Sequence, residues 1–272
     1  MTRGVILLNK KMGFISILLI CLLLLMGCGQ LLLQIGIKEP KVIKDLAYDV
    51  TKKEDCLIYI EEDDVFVPYL VLSSDYGGNT LLLRQYLLDD PMPFNVNKKF
   101  GWSSHEYGAY YEGSYIDNYL NTEFIETLSQ PARDAIVDST IVITDKSSLG
   151  NTTYATMTIS RKIFLLSLKE FNNAEFSITA DEGKALKFFT DDFNRRVADF
   201  SDGKKSPNWT RTPSIWGTYN VITIGSVGTG SGMPDSLIGV RPAFCLDSST
   251  PISQRTDIIS DQAVYVLADT DS

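Results

Sequence analysis

One histidine, four cysteines and a shortage of basic charge set the first limits on this 272-residue chain. With His105 as the single imidazole, chemistries that rely on paired histidines have no support, whether nucleophilic or metal-centred. The first forty residues hold four of the 25 basic groups and one of the 34 acidic ones, which leaves residues 41–272 at a net −12. Such a surface argues against nucleic acid and against anionic lipid headgroups as partners. The glycine-rich stretch Gly225 to Gly232 lacks the Lys and Ser/Thr that complete a phosphate loop, and it reads as a surface loop within a longer Pro/Gly-rich loop, 225–234. No internal repeat is visible. Neither a catalytic constellation nor a metal-ligand spacing stands out, and no cofactor is implied.

What is present begins at the front. Met12 to Ile37 is almost unbroken apolar sequence behind Arg3, Lys10 and Lys11, and nothing later is comparably apolar. A surface helix of a soluble domain is not built this way, so the chain is expected at a membrane. Two readings fit: a spanning helix of about 20 residues, or a signal peptide with an apolar heart of about 7–15 residues. Both keep Lys10 and Lys11 inside and the folded part outside. Leu25-Met26-Gly27-Cys28 resembles the lipobox of bacterial lipoproteins, which implies lipidation of Cys28 through its thiol. Met26 departs from the usual residue there, and Leu31 to Leu33 are apolar for a mature lipoprotein start. The expected organisation is an anchor or signal over 1–28, a linker over 29–56 and one extracellular α+β domain over 57–272.

Within that domain, Leu57 to Ile60, Val65 to Leu72 and Leu81 to Leu83 read as an antiparallel meander. Its turns fall at the acidic run Glu61 to Asp64 and at Asp75-Tyr76-Gly77-Gly78-Asn79. Ser114 caps a predicted helix from Tyr115 to Leu120, Thr122 a second from Glu123, and Pro131 opens a third. Ala185, Leu186, Phe189, Phe193 and Val197 predict a helix between Asp181 and Phe200. Strands are expected at Ile141 to Ile143, Ile163 to Leu166, Val221 to Ile224, Val240 to Leu246 and Val264 to Leu267. Outside a membrane a disulfide between Cys56 and Cys245 is permitted, and so are two buried thiols.

Tyr115-Ile116-Asp117-Asn118-Tyr119-Leu120-Asn121, Phe124, Ile163 to Ser167, Trp209-Thr210-Arg211-Thr212-Pro213 and Gly239-Val240-Arg241-Pro242-Ala243-Phe244 occur in this order. The series resembles the bacterial domain of unknown function 6273 over roughly Tyr59 to Leu246, with Thr210 and Cys245 departing from its pattern. The Trp and Gly-Val-Arg-Pro elements are also similar to the closing strands of the C-type-lectin-like fold of formylglycine-generating enzymes. That likeness implies an α+β domain with a twisted antiparallel sheet, two to four helices and long loops. The paired catalytic cysteines of those enzymes have no counterpart here, so their activity is not implied.

Candidate ligand-binding residues are the loop aromatics Tyr107, Tyr110 and Tyr111, read as surface groups near Trp102 and His105, and Trp209 and Arg211, which with Arg241 could form an aromatic-cationic floor. Against the floor stands a structural use, with Trp209 in the core and Arg241 bonding loop carbonyls. Tyr115 and Tyr119, at helical spacing, read as core. Glu61 to Asp64 reads as a solvated turn in preference to a calcium loop. The expected function is a non-catalytic, membrane-anchored extracytoplasmic module that binds a glycan or a surface protein. The alternative is a carboxylate-dependent cell-wall glycan hydrolase, which needs two carboxyl groups facing across a cleft.

Overall fold

The computed structural model describes residues 40–51, 56–96, 108–150, 154–173, 180–214, 219–226, 228–259 and 262–268. Residues 41–272 form one compact unit. The anchor reading and Cys28 lie outside the described residues. Among those described, no helix is long and apolar enough to cross a membrane.

The start is the expected meander. β1 (Leu57–Glu62), β2 (Val65–Tyr76) and β3 (Asn79–Arg84) pair antiparallel in sequence. Asp63 and Asp64 both take positive φ (46° and 64°), the geometry of a two-residue hairpin turn that acidic residues tolerate. Gly77 and Gly78 do the same at the next hairpin. β4 (Ile136–Val137), β7 (Ile163–Phe164), β11 (Ala243–Leu246), β12 (Ile252–Ile259) and β13 (Gln262–Leu267) complete a sheet that curls into a half-barrel. Its order is β12-β13-β1-β2-β3-β11-β4, with β7 also on β11. β1 runs parallel to β13, Tyr59 opposite Val266, so the first and last strands among the described residues are neighbours. Two smaller sheets stand apart: β5 (Ser139–Thr144) with β6 (Thr156–Arg161), and β8 (Asn208–Pro213), β9 (Val221–Gly225) and β10 (Gly228–Gly232).

Helix is scarcer than an α+β reading expects. Ser114 does cap α1 (Tyr115–Tyr119), its hydroxyl accepting from the Asp117 N–H. Thr122 starts no new helix. Its hydroxyl donates back to the Asn118 carbonyl at 2.8 Å, and α1 continues unbroken through a π-turn (Leu120–Phe124) into a last α turn (Ile125–Thr127). α2 (Gln130–Ala135) carries Pro131 in its first turn as expected. The predicted helix over 181–200 shrinks to α3 (Lys187–Asp191) and one 3-10 turn (Phe193–Arg196). Gly183 at φ +101° and extended backbone at Leu186 and Asp192 break the helical path. The loop expected over 225–234 contains β10, hairpinned onto β9 through Gly225 opposite Gly228. The domain is thus mostly sheet.

The core draws on all three sheets and on α1, with Leu81, Leu82, Leu83, Phe164 and Phe244 fully enclosed. Leu120 and Ile116 of α1 pack into the same cluster. The rule that places apolar residues inside accounts for most of it; the informative exceptions are the charged groups it also encloses.

Candidate functional site

Arg211 is one of those charges, 0% exposed in a strand whose six residues are all buried. Beside it, the chain leaves β7 into a turn. There Ser167 Oγ accepts from the Glu170 N–H (3.1 Å) and Glu170 Oε2 accepts from the Ser167 N–H (2.9 Å). This reciprocal pair, built like a helix capping box, aims the Glu170 carboxylate at Arg211. The guanidinium meets it fork to fork, Nη1 to Oε2 at 2.7 Å and Nη2 to Oε1 at 2.8 Å. Its remaining N–H groups go to carbonyls: Nε to Val142 (2.9 Å), Nη1 to Leu165 (2.7 Å) and Nη2 to Glu182 (3.4 Å). All five guanidinium donors are therefore used, the condition under which a buried ion pair is tolerable. The Tyr76 hydroxyl completes the Glu170 shell at 2.6 Å.

A second carboxyl, Glu182, stands behind the pair and is 0% exposed. Its Oε1 accepts from the N–H (2.6 Å) and hydroxyl (2.7 Å) of Thr144, and its Oε2 from the Thr212 hydroxyl. Burial pushes the Glu182 carboxyl up from its ordinary value, against the opposing pull of Arg211, Thr212 and Thr144. Burial is the largest influence on Arg211 and would lower it, but the charge and hydrogen bonds of Glu170, with Tyr76 and Glu182, together outweigh burial and hold the guanidinium up. Tyr76 is raised by burial and then by the Glu170 charge.

Glu170 lines the floor of an open groove of about 610 Å³, with Arg211 buried beneath it. The end of β2 through Gly77 makes one wall. Thr140 and Val142 of β5 make a second, and the segment from Gly183 to Lys187 a third. Lys184 and Lys187 stand exposed on one lip and Asp75 on another. Two carboxylates, Asp75 and Glu170, thus line the groove, while Glu182 lies outside its lining. Glu170 already receives two N–H groups of Arg211, one of Ser167 and the Tyr76 hydroxyl. A carboxylate so saturated has no lone pair left to take a proton or attack a carbon. Among the described residues no three His, Cys, Asp or Glu side chains are grouped to hold a metal ion.

The residues singled out in the sequence scatter. Tyr107, with Trp102 and His105, lies outside the described residues. Tyr110 is half-buried, its hydroxyl donating to Glu112 Oε2 at 3.0 Å. Tyr111, expected on the surface, is instead 1% exposed: its ring packs near Phe94 and its hydroxyl accepts from the Leu165 N–H at 3.2 Å. Trp209 and Arg211 do not make an open floor for a ligand. Trp209 is enclosed, its Nε1 donating to the Met92 carbonyl at 2.8 Å and its ring set edge-on to Phe94. Arg241 is buried too, with Nε on the Arg84 carbonyl (2.9 Å) and Nη2 on that of Gln85 (3.3 Å). Burial with no carboxylate against it pulls Arg241 down to about 9. Tyr115 and Tyr119, expected in the core, are half-buried and stack on each other along α1. No disulfide joins Cys56 and Cys245; both thiols are buried, and burial pushes Cys245 up to about 12.

The sequence landmarks prove to be scaffold. Asp117 binds Arg161 at 2.8 Å and caps the Gly113 N–H at 2.9 Å. Asn121 serves both backbone groups of Ile163, donating to its carbonyl at 2.8 Å and accepting from its N–H at 3.1 Å. Of the groove and the charges buried beneath it, sequence reasoning found Arg211 alone. Tyr76, Glu170, Glu182 and the two lysines carried no local signal.

These features define a mostly-β domain with a buried Arg–carboxylate pair beneath an open groove. A family model described as Domain of unknown function (DUF6273) matches residues 77–248, more than half of the chain, and the chain belongs to that family. No curated protein and no solved structure matches it.

Proposed function

We propose that this protein is a non-catalytic binding module held at the outer face of the cell membrane, and that the groove over Arg211 and Glu170 is where it takes a glycan or a segment of another surface protein. The observation that carries the reading is the saturation of Glu170. A hydrolase needs one carboxyl group free to donate a proton and a second free to attack or to activate water. Of the groove's two carboxylates one is locked by four donors, which suits a rigid floor better than a reacting group. The location rests on the apolar run and the lipobox-like Leu25-Met26-Gly27-Cys28, with Cys28 the proposed lipidation site. The C-type-lectin-like likeness, a scaffold that presents loops and grooves, belongs to the same proposal.

Binding of the purified protein to a glycan array and to cell-surface protein extracts tests it, with Lys184→Glu/Lys187→Glu as the groove variant. Loss of a captured partner in that variant supports the reading. Turnover of a cell-wall polymer that Asp75→Asn or Glu170→Gln abolishes would reverse it in favour of the hydrolase. Intact-mass analysis of membrane-extracted protein tests the anchor: a chain still beginning near Met1 leaves a spanning segment in place of the lipid.

A further inference from the structure

The groove has a feature that side chains alone do not describe. Among the described residues β5 pairs with β6 only, and its second edge, which β8 approaches at its inner end, forms no strand ladder. That edge is identifiable. The Val142 carbonyl accepts from Arg211 Nε and the Thr144 N–H donates to Glu182 Oε1, so both residues turn these groups away from β6. In an antiparallel pair the backbone groups of alternate residues point to the same side. Thr140, two residues earlier, therefore offers its N–H and carbonyl at the same edge, and it is exposed and lines the groove. The buried Arg211 and Glu182 hold the inner half of the edge straight and leave the outer half open.

The aromatic rings of the groove are already engaged. Tyr76 stacks on Phe164 (5.8 Å between centroids, 18° between planes) and gives its hydroxyl to Glu170. Tyr48 lies against the Arg195 guanidinium at 4.8 Å and edge-on to Phe188. Sugar rings commonly stack on aromatic faces, and these two rings are already packed on protein neighbours. What the groove does offer is a strand edge, and two lysines on the lip of a domain whose charge is otherwise strongly negative.

We infer that the groove takes an extended peptide segment bearing an acidic side chain, added as a strand to the free edge of β5 at Thr140 and steered by Lys184 and Lys187. This rests on the groove being the binding site, and it chooses between the two ligand classes of that reading. Main-chain hydrogen bonds supply the affinity in such strand addition, and charge supplies the preference. Thr140 exchanges both its bonds with one residue of the incoming strand, and the acidic side chain meets the lysines where Asp75 does not repel it.

The test pans a phage-displayed library of short linear peptides against the purified full-length protein in detergent, with peptidoglycan fragments and a glycan array run alongside. The expected result is a set of peptides enriched in Asp or Glu. Thr140→Pro removes the edge N–H at a position where proline is tolerated in an outer strand, and it should weaken a selected peptide about tenfold or more, while Thr140→Ala binds like the parent. Lys184→Glu should weaken it and reduce its salt dependence. Because Thr140→Pro can disturb folding, N-methylation along the peptide gives the same answer from the other side: loss of binding at alternate positions marks a paired strand. Peptides that bind Thr140→Pro as well as the parent, or that tolerate methylation at every position, overturn strand addition while leaving the groove as a binding site. Binding of glycans with no peptide enrichment overturns the peptide class. If no probe of either class binds, the proposed function fails with it.

Discussion

Gly183 stands over Glu170 so closely that a Cβ at that position would lie 3.1 Å from the carboxylate Oε1. Its φ of +101° is one that L-residues rarely adopt. Two demands, space and backbone conformation, meet at one residue on the wall of the groove. Gly183→Ala should cost on the order of 1–3 kcal/mol, read as a shift in the urea midpoint. A melt identical to the parent would mean that the segment from Gly183 to Lys187 relaxes freely and does not hold the groove's shape.

The Arg211–Glu170 pair beneath it should behave as a unit. Arg211→Met or Glu170→Met alone leaves an uncompensated buried charge, with an expected loss of ~3–5 kcal/mol. The double change Arg211→Met/Glu170→Met removes both charges and should cost clearly less than the two single losses added together. A double-mutant cycle by chemical denaturation gives the coupling. Additive losses would show that solvent reaches the pair.

Glu182 sets a pH dependence of definite sign. Burial raises its carboxyl in the folded state, so the native protein keeps a proton that the unfolded chain releases. The contribution of this group is therefore full below the unfolded carboxylate range and is lost as pH rises through the higher folded value. Glu182→Gln should flatten that decline in a series of melts from acid to neutral pH. A parent whose stability climbs throughout the same interval, with no change of slope in the Gln variant, would show that the three donors around Glu182 overcome its burial.

Among the aromatics, Tyr110→Ala should change stability by no more than about 0.5 kcal/mol, as half-exposed positions usually do. Tyr111→Ala and Trp209→Ala should each cost ~3–5 kcal/mol by emptying core volume. Gly232→Ala tests the same packing from outside, because its Cβ would fall 2.6 Å from the Trp209 ring. Thermal melts of the four variants rank them. A Tyr111 variant that melts with the parent would return that residue to the list of surface contacts.

How much of this was legible in the chain depends on whether a feature is local. Asp63-Asp64 and Gly77-Gly78 announce their turns because a positive φ selects for those residue types wherever they stand. Ser114 announces a helix start for the same kind of reason. The period-3.6 pattern after Asp181 misled because packing of Leu186, Phe188 and Phe189 on different neighbours produces a similar spacing once Gly183 has bent the chain. β10 was invisible because Gly-Thr-Gly-Ser-Gly has no apolar alternation; Gly232 is small because Trp209 fills the space above it. The groove was least legible. Glu170 and Arg211 lie 41 positions apart and Tyr76 94 positions before Glu170, and nothing in the neighbourhood of any one of them points to the others.

The parallel seam between β1 and β13 has a mechanical meaning. Tyr59 faces Val266 in strands that run the same way, so the start of one strand and the end of the other lie at opposite ends of the seam. Tension applied between the two ends of the domain would pull the strands past each other and load their hydrogen bonds together, in shear, not one after another as in an opening zipper. A domain wired in this way resists being drawn apart by its own chain.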